Sequence, residues 1–252
     1  MSWGTKRRNL VLTTLFLFIF IPIGAIAFLV FYNPPTCFDS IQNSDESGID
    51  CGGSCQLICT QEAFEPVVLW ERLFKVDEGV YNVLAYIENQ NANASVIGAR
   101  YMFKLYNEQN VPIVEREGVV SILPNSVLPV IETNIQTEKQ IPTRVEFDFV
   151  SDLVFEKRSS QESYILVKDE LIENITTEPR VKAEIQNITL SRIQDIDIVV
   201  ILYDSFSNVI QTSSTYVPEL NSEESKEIVF TWPNPFAQDV ARIEVIPIYE
   251  SN

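Results

Sequence analysis

From Val67 onward the chain is filled with short runs of Val, Ile, Leu, Phe and Tyr, broken by turn-forming residues at intervals of about eight to twelve positions. Val83-Leu84-Ala85-Tyr86-Ile87 and Val145-Glu146-Phe147-Asp148-Phe149 are two examples. Apolar residues at alternate positions are typical of strands with one buried face, and this spacing of turns is typical of β-sandwiches. The pattern predicts an all-β fold, with strands in its first half near 67–76, 80–90, 96–107, 111–122, 126–135 and 142–150.

The strand pattern occurs twice, with a period of 97–98 residues. Residues Val67–Asn89 align without gaps on Ile165–Asn187, and identical residues recur at alternate positions. Val83, Ala85, Ile87 and Asn89 match Val181, Ala183, Ile185 and Asn187. Residues repeated in this way imply the same inward face on the same strand. We therefore expect two tandem β-sandwiches at 63–156 and 157–252, as semi-independent modules joined by a short hinge at 157–162.

An uncharged run of 23 residues, Leu10 to Tyr32, precedes the strands. A helix of that length spans the ~30 Å hydrocarbon core of a bilayer. The run predicts a transmembrane helix at 9–32 behind a cytoplasmic tail at 1–8. Lys6, Arg7 and Arg8 adjoin it, so the positive-inside rule places the bulk of the chain outside the plasma membrane as a single-pass protein. The alternative is a cleaved signal peptide, because Ala25-Ile26-Ala27 is an A-x-A site.

A cysteine-rich segment at 33–62 follows the apolar run. An even, clustered number of cysteines outside the membrane predicts two disulfides, with three pairings open. A structural zinc site with four thiolates is the alternative. Because so short a segment cannot bury a core, we expect the bridges to hold it together as a stalk. The four residues are Cys37, Cys51, Cys55 and Cys59.

Oxygen-bearing side chains and glycines lie between these cysteines. Calcium needs six to eight oxygen ligands, and Asp39, Asn43, Glu46 and Asp50 predict a calcium site if their oxygens converge. The spacing fits no EF-hand. The alternative interpretation is a disulfide-tied polar stalk whose acids face water. We expect no other cofactor.

Two short motifs resemble known families. The pattern C-x-D-x-I-x-N-x-D-E-x-G-x-D-C-G-G-x-C, within Cys37 to Cys59, is similar to a Cys-rich motif that recurs in secreted and surface proteins. Phe103-Lys104-Leu105-Tyr106-Asn107 spells F-x-L-Y-[DN] and resembles the FxLYD family, and Val200 to Asp204 matches it with valine in the place of phenylalanine. That resemblance implies immunoglobulin-like sandwiches of prokaryotic extracytoplasmic proteins, with no catalytic residues. From the residues themselves we expect Asn107 and Asp204 to cap hairpin turns.

The amino-acid composition excludes several classes of function. The chain has no histidine, which removes Ser-His-Asp and Cys-His catalysis and histidine-ligated zinc sites. Three of the 18 basic residues precede the apolar run, so the rest of the chain has 15 basic and 35 acidic residues. So acidic a domain repels the phosphate backbone, which excludes nucleic-acid binding. The remaining charged candidates are interpreted as solvated strand faces and edges. They are Glu115, Arg116 and Glu117, the pair Asp195 and Asp197, and Glu219, Glu223, Glu224 and Glu227.

These observations predict a non-catalytic protein that is anchored in the membrane by residues 9–32 and presents β-sandwiches for adhesion or protein–protein contact. We expect its partner to be an envelope or surface protein. The first alternative is an accessory subunit of a membrane-bound envelope assembly. A second, from another class, is an extracytoplasmic hydrolase that uses carboxylates, which a deep pocket lined by buried acids would favour. N-x-S/T sequons occur at Asn93, Asn174 and Asn187.

Overall fold

The computed structural model describes residues 3–31, 36–159 and 163–249. Its one long helix, α1 (Trp3–Phe31), continues through Pro22. Within α1, the stretch Arg7–Ile26 is long and apolar enough to cross a membrane. A signal sequence near an N-terminus passes the same test, so the helix fits either an anchor or a signal sequence.

Strands make up most of the remaining chain, which confirms the predicted all-β class with one N-terminal apolar helix. The first sandwich contains β1 (Leu57–Ile58), β2 (Val67–Asp77), β3 (Val80–Asn89), β4 (Ala94–Tyr106), β5 (Pro112–Ile122), β6 (Ser126–Gln136), β7 (Arg144–Phe149) and β8 (Phe155–Lys157). The second contains β9 (Ile165–Glu173), β10 (Arg180–Asn187), β11 (Ile193–Tyr203), β12 (Val209–Leu220), β13 (Ser225–Thr231) and β14 (Arg242–Ile248).

The first sandwich packs two antiparallel sheets against each other. One sheet has the order β2-β3-β6. In the other, β4 pairs with β5 on one side and with β7 and β8 on the other, and β1 extends the sheet beyond β8. Inward residues of the two central strands, among them Val83, Ile87, Phe103 and Leu105, are fully buried in one cluster. Phe155 lies beyond the strand predicted near 142–150 and begins the separate strand β8, which pairs with Ser95 and its neighbours in β4.

The second sandwich has the same arrangement. Its sheets have the orders β13-β10-β9 and β12-β11-β14, which correspond to β6-β3-β2 and β5-β4-β7 of the first. Val181, Ile185, Val200 and Leu202 lie fully buried in its own core cluster. These are the positions that the sequence alignment matches to Val83, Ile87, Phe103 and Leu105. The common strand order supports the interpretation of an internal repeat.

Contacts divide the chain into two compact units, residues 1–56 and 57–252. Both sandwiches fall within the second unit, because a third buried cluster joins the sheet β2-β3-β6 to the sheet β12-β11-β14. The four sheets therefore stack in succession, with one apolar layer between each pair. The two sandwiches thus form one compact unit, in place of the expected semi-independent modules. Of the hinge predicted at 157–162, residues 160–162 lie outside the described part of the chain.

The cysteine-rich part of the first unit is held by disulfides, as predicted. Cys37 and Cys55 are bonded to each other, and no cysteine in the part of the chain that the structure describes is free. The neighbouring Gly53 has a φ of +51°, and a Cβ there would lie 2.1 Å from the backbone oxygen of Asp45. A glycine is therefore required at this position of the C-G-G-x-C motif.

Candidate functional site

The junction between the sandwiches is the feature that the strand pattern alone did not reveal. Leu84 from β3 and Ile201 from β11 are both 0% exposed, and they belong to the cluster between the two sandwiches rather than to either core. Phe74 of β2 and Val199 and Tyr203 of β11 are the other buried members. Burying a large aliphatic or aromatic side chain contributes about 1.5–3 kcal/mol. The docking is therefore a substantial part of the stability of the unit.

Two side-chain amides donate hydrogen bonds across the junction. The Nδ2 of Asn82 donates to the backbone oxygen of Thr212 over 2.8 Å, and its Oδ1 accepts from the backbone N–H of Asn134 over 2.9 Å. Nearer the rim, the Nε2 of Gln211 donates to the oxygen of Lys75 over 2.7 Å. Because a buried amide must satisfy its donors and acceptors, Asn82 fixes the register in which the sandwiches meet.

A sequence signal for this junction exists. Val199-Val200-Ile201-Leu202-Tyr203 and Val83-Leu84-Ala85-Tyr86-Ile87 are continuous apolar runs rather than strict alternations. Such runs are typical of strands that are buried on both faces. If the run Val83 to Ile87 is instead interpreted as alternating inward and outward positions, it predicts a half-buried strand whose outward side chains face water. That prediction is wrong for Leu84, which lies inside the junction.

A cleft of about 550 Å³ opens where one rim of the junction meets solvent. The first sandwich lines it with apolar residues such as Val119, Leu128 and Pro129, and the second contributes Asp195 and Asp197. Since both sandwiches supply its walls, the cleft depends on their docking. Further lining residues are Val127, Val130, Ile246, Pro247 and Tyr249.

The two aspartates of the cleft are exposed. Asp195 accepts a hydrogen bond from the hydroxyl of Tyr216 over 2.5 Å. Partial desolvation of Asp197, and then the charge of Asp195, raise the pKa of the Asp197 carboxyl above its usual range. Neither forms an ion pair within residues 3–31, 36–159 and 163–249. The pair thus gives the cleft a negative mouth, and it lacks the burial that we associated with a hydrolase site.

The other acidic candidates lie on the surface of the sandwiches. Glu117 forms an ion pair with Arg100, over 2.7 Å, and Glu219 forms one with Arg192, over 3.2 Å. Glu224 accepts from the backbone N–H of Asn221 over 2.7 Å, and this bond lowers the pKa of its carboxyl. Of the remaining candidates, Glu115 and Arg116 lie on strand β5. Glu223 lies in the turn before β13, and Glu227 lies on β13.

The residues predicted to bind calcium are brought close together, and the carboxylates of Asp39, Glu46 and Asp50 accept hydrogen bonds from the chain itself, whereas the buried Oδ1 of Asn43 has no hydrogen-bond partner among the described residues. Both oxygens of Asp50 accept from the N–H of Ser40, and its Oδ1 also accepts from Asp39. Asp39 accepts from Thr36, Ile41 and the Asn43 amide, and the last of these bonds lowers the pKa of its carboxyl most. The Oε2 of Glu46 accepts from the N–H of Asn43 over 3.1 Å. Calcium at these residues stays a prediction.

A close group of potential metal-ligand atoms in the described residues consists of Cys37, Glu46 and Cys55. The two sulfurs of this group form a disulfide with each other. They are therefore not thiolates, the form in which cysteine binds metal ions. The predicted alternative of a four-thiolate zinc site is wrong for the same reason, since no described cysteine is free.

The motif residues of the two sandwiches cap turns, as expected. The Oδ1 of Asn107 accepts from the N–H groups of Gln109 and Val111 over 3.0 and 2.9 Å. The Oδ1 of Asp204 accepts from Phe206 and Asn208, each over 2.8 Å. The same spacing of bonds in both turns shows one local structure built with two different acceptors.

A second repeated pair, Asn89 and Asn187, closes the opposite end of each sandwich. The Nδ2 of Asn89 donates to Ala94 and Leu123, and that of Asn187 donates to Ser191 and Asn221, all within 2.9 Å. Asn187 is 0% exposed. Its side chain is therefore structural, although it begins a sequon, whereas the sequon residues Asn93 and Asn174 are exposed.

No family model and no curated protein matches the chain. Among solved structures, a transglutaminase from red sea bream is similar over 73% of this chain and 31% of its own length, with 7% identity and a TM-score of 0.24. The chain thus spans about a third of the length of that enzyme. A likeness this low carries no argument about fold or activity.

Proposed function

We propose that the chain is a non-catalytic, membrane-anchored protein that presents two docked β-sandwiches outside the membrane for adhesion or protein–protein contact at the cell envelope. The observation that carries this proposal is the buried cluster between the sandwiches. It fixes two surfaces in one orientation, and a preorganised surface binds a partner at a lower entropy cost.

The contact surface that we propose is the composite cleft with the adjoining edge of β5. β5 is the last strand in its sheet order, so one side of its backbone has no neighbouring strand among the described elements. Val119 of β5 is 65% exposed and also lines the cleft. An extended segment of a partner can pair with such an edge and place side chains in a neighbouring cleft.

The charge of the cleft restricts the partner. Asp195 and Asp197 leave its mouth negative, and the chain as a whole carries a net charge of −17. Like charges across an interface are costly and unlike charges steer association. We therefore propose a partner segment with basic side chains among apolar ones.

The anchor sets the location of this surface. α1 is long enough to span a bilayer, and the cluster Lys6, Arg7 and Arg8 adjoins its apolar part. A basic cluster before a single span holds that end in the cytoplasm. We therefore propose that the sandwiches lie outside the plasma membrane.

The repeat and the FxLYD-like motif belong to the same proposal. The equivalent turn caps at Asn107 and Asp204 and the equivalent hydrogen bonds of Asn89 and Asn187 support two copies of one domain. In both copies the cap residue of the motif bonds to groups within its own turn, as a structural residue does.

Crosslinking in intact cells tests the proposed surface. A photo-crosslinking residue placed at Val119 is compared with one at Val229, an exposed valine on the outermost sheet of the second sandwich. We expect a protein adduct at position 119 and none at position 229. Equal capture at both positions, or none at either, would contradict a contact surface at the cleft.

The same experiment distinguishes the two forms of the proposal. One dominant envelope protein captured at stoichiometric yield supports an assembly subunit, and a mixture of surface components supports adhesion. Ile201→Lys is the matched variant, because it opens the junction that builds the cleft. We expect it to lower capture at position 119.

A further inference from the structure

The loop that follows α1 combines half-buried carboxyl and amide side chains with exposed large apolar ones, although other polar residues of the loop, such as Asp45, are exposed. Asp39, Asn43, Glu46 and Asp50 are half-buried, and their side chains bond to neighbouring groups of the same loop. Phe38, Ile41 and Ile49 are instead 82%, 62% and 63% exposed. A segment too small to bury a core leaves apolar residues outside, but it does not by itself half-bury three of its four acids.

The hydrogen bonds bring together the two stretches of backbone that carry the three apolar residues. Asp50 accepts from the backbone N–H groups of Asp39 and Ser40 over 3.0 to 3.1 Å. Phe38 precedes Asp39, Ile41 follows Ser40, and Ile49 precedes Asp50. Each is thus the chain neighbour of a residue in a single bonded cluster. We call Phe38, Ile41 and Ile49 the apolar tip.

The apolar tip is tied close to the membrane by the length of the chain. Phe38 is only a few residues beyond Phe31, the last residue of α1. An extended chain advances at most about 3.6 Å per residue, so the tip lies within about 25 Å of the end of the helix. Apolar side chains on a surface element enter a bilayer by about 5–10 Å, at the boundary of headgroups and acyl chains.

We propose that Phe38, Ile41 and Ile49 insert into the outer surface of the bilayer that holds α1, so that the cysteine-rich loop lies on the membrane. This inference rests on the proposed membrane anchoring of the chain. The loop around the tip has acidic and no basic residues between positions 36 and 56, so a zwitterionic lipid surface suits it better than an anionic one.

The test uses the full chain in nanodiscs of phosphatidylcholine. The photo-crosslinker p-benzoylphenylalanine replaces Phe38, and in separate samples Phe18 inside α1 or Phe206 in the turn after β11. These two controls are 82% and 85% exposed in the protein alone. Lipid adducts are counted by mass spectrometry. We expect adducts at position 38 at least roughly tenfold above those at position 206, because a side chain inserted in the interface meets lipid continuously.

The outcomes separate the two proposals. Adducts at position 18 with only background at position 38 would overturn the inserted tip and leave the anchor intact. Background at both positions would overturn the anchor and the tip together. Protein adducts at position 38 in native membranes, in place of lipid adducts, would also overturn the inference.

A matched pair of variants supplies a second readout. Ile41→Asp with Ile49→Asp should reduce the lipid adducts at position 38, and Ile141→Asp, at an exposed isoleucine of the first sandwich, should not. The Cys37–Cys55 bridge is checked by non-reducing mass analysis in each variant, so that a fall in adducts is not caused by an open loop. Unchanged adducts in the paired variant would contradict the proposal.

Discussion

The two sandwiches share one strand order and differ in the residues that point outward. At the centre of the β2-β3-β6 sheet, Leu84 is fully buried at the junction. Its equivalent in the second sandwich, Lys182, reaches water and forms an ion pair with Glu173 over 2.9 Å. In the other sheets the roles are exchanged: Ile201 is buried at the junction, and its equivalent in the first sandwich is Lys104. Each sandwich therefore has one outward face made for docking and one made for solvent.

Inward and outward positions of the same strand therefore carry separate information. The inward residues are alike in both halves, because both must fill the same core between two sheets. The outward residues differ because only one face of each sandwich meets a protein surface. Lys104 and Lys182 instead place a charge on the outer face of each sandwich, the face opposite the junction.

A group of one tyrosine, one arginine and one glutamate lies beside the motif in both sandwiches, and its surroundings differ between the two copies. Arg144 lies over the ring of Tyr106 at 4.1 Å, and Arg242 lies over Tyr203 at 3.5 Å. Tyr203 is buried at the junction and donates to Glu244 over 2.8 Å, and desolvation raises the pKa of its hydroxyl. One repeated cluster is thus a surface feature in one copy and part of an interface in the other.

The largest expected effect comes from placing a charge at the junction. Ile201→Lys introduces at this position the residue type that the first sandwich has at Lys104. An unpaired buried charge should lower the free energy of unfolding by on the order of 3–5 kcal/mol and separate the unfolding of the two sandwiches. Urea unfolding with calorimetry measures both effects.

Its control is Lys104→Ala at the equivalent half-buried position, whose side chain lies outside the junction cluster. That change should remain within about 0.5 kcal/mol of wild type. If both variants unfold alike, the docking of the sandwiches contributes nothing to their stability.

Reduction of the disulfides compares the cysteine-rich loop with the sandwiches. Cys37 and Cys55 close a loop with a sequence separation of 18, and opening such a loop should cost about 3 kcal/mol locally. We expect proteolysis to become faster between residues 36 and 56, while the melting of the sandwiches stays unchanged, because hydrophobic layers hold them. Limited proteolysis followed by calorimetry checks this. A simultaneous loss of both parts would contradict the separation into two compact units.

The repeated asparagines should respond equally. Asn89→Ala and Asn187→Ala each leave buried carbonyl oxygens without a donor, and each should lower the free energy of unfolding by about 1–3 kcal/mol. Denaturant unfolding of the two variants gives the comparison directly. Asn93→Ala, at an exposed asparagine, is the control and should have little effect. A large effect at only one repeated position would argue against equivalent roles.

The smallest expected effect is a loss of stability at low pH in the turn that Asp204 caps. The hydrogen bond from the Asn208 amide, followed by the backbone N–H bonds, lowers the pKa of Asp204 in the folded state. The turn stabilisation is therefore complete above the unfolded pKa, about 3.9, and is lost as the pH falls through the lower folded value. Asn107 does not titrate, so Asp204→Asn should remove this part of the acid sensitivity. Melting temperatures between pH 2 and pH 5, about the range of carboxyl titration, test it.

Much of the fold could be predicted from local pattern. The strand predicted near 80–90 is β3 at Val80–Asn89, and the one predicted near 126–135 is β6 at Ser126–Gln136. These succeed because an alternation of period two is a property of the strand itself. Strands β1 and β8 were missed, since Leu57–Ile58 and Phe155–Lys157 are too short to show a period and form only by pairing with each other and with β4.

The candidate site was predictable only in part. Asn107 and Asp204 were recognised as turn caps because their partners lie within four residues. The cleft was not, because its walls come from β5, β6, β11 and β14, which meet only after two sandwiches have folded and docked. Asp195 and Asp197 were noticed as a pair, but the apolar wall opposite them belongs to the other half of the chain.

Local spacing in the sequence is enough to predict the apolar helix, the disulfide-tied loop, the longer strands and the inward face of each sandwich, because each depends on residues a few positions apart. The contact between Leu84 and Ile201 follows only from the folded chain. Each is an apolar residue at an outward position, and whether such a residue faces water, lipid or protein depends on the shape and charge of a surface more than a hundred residues away in the chain. Docking requires two complementary surfaces at once, and no local pattern contains both.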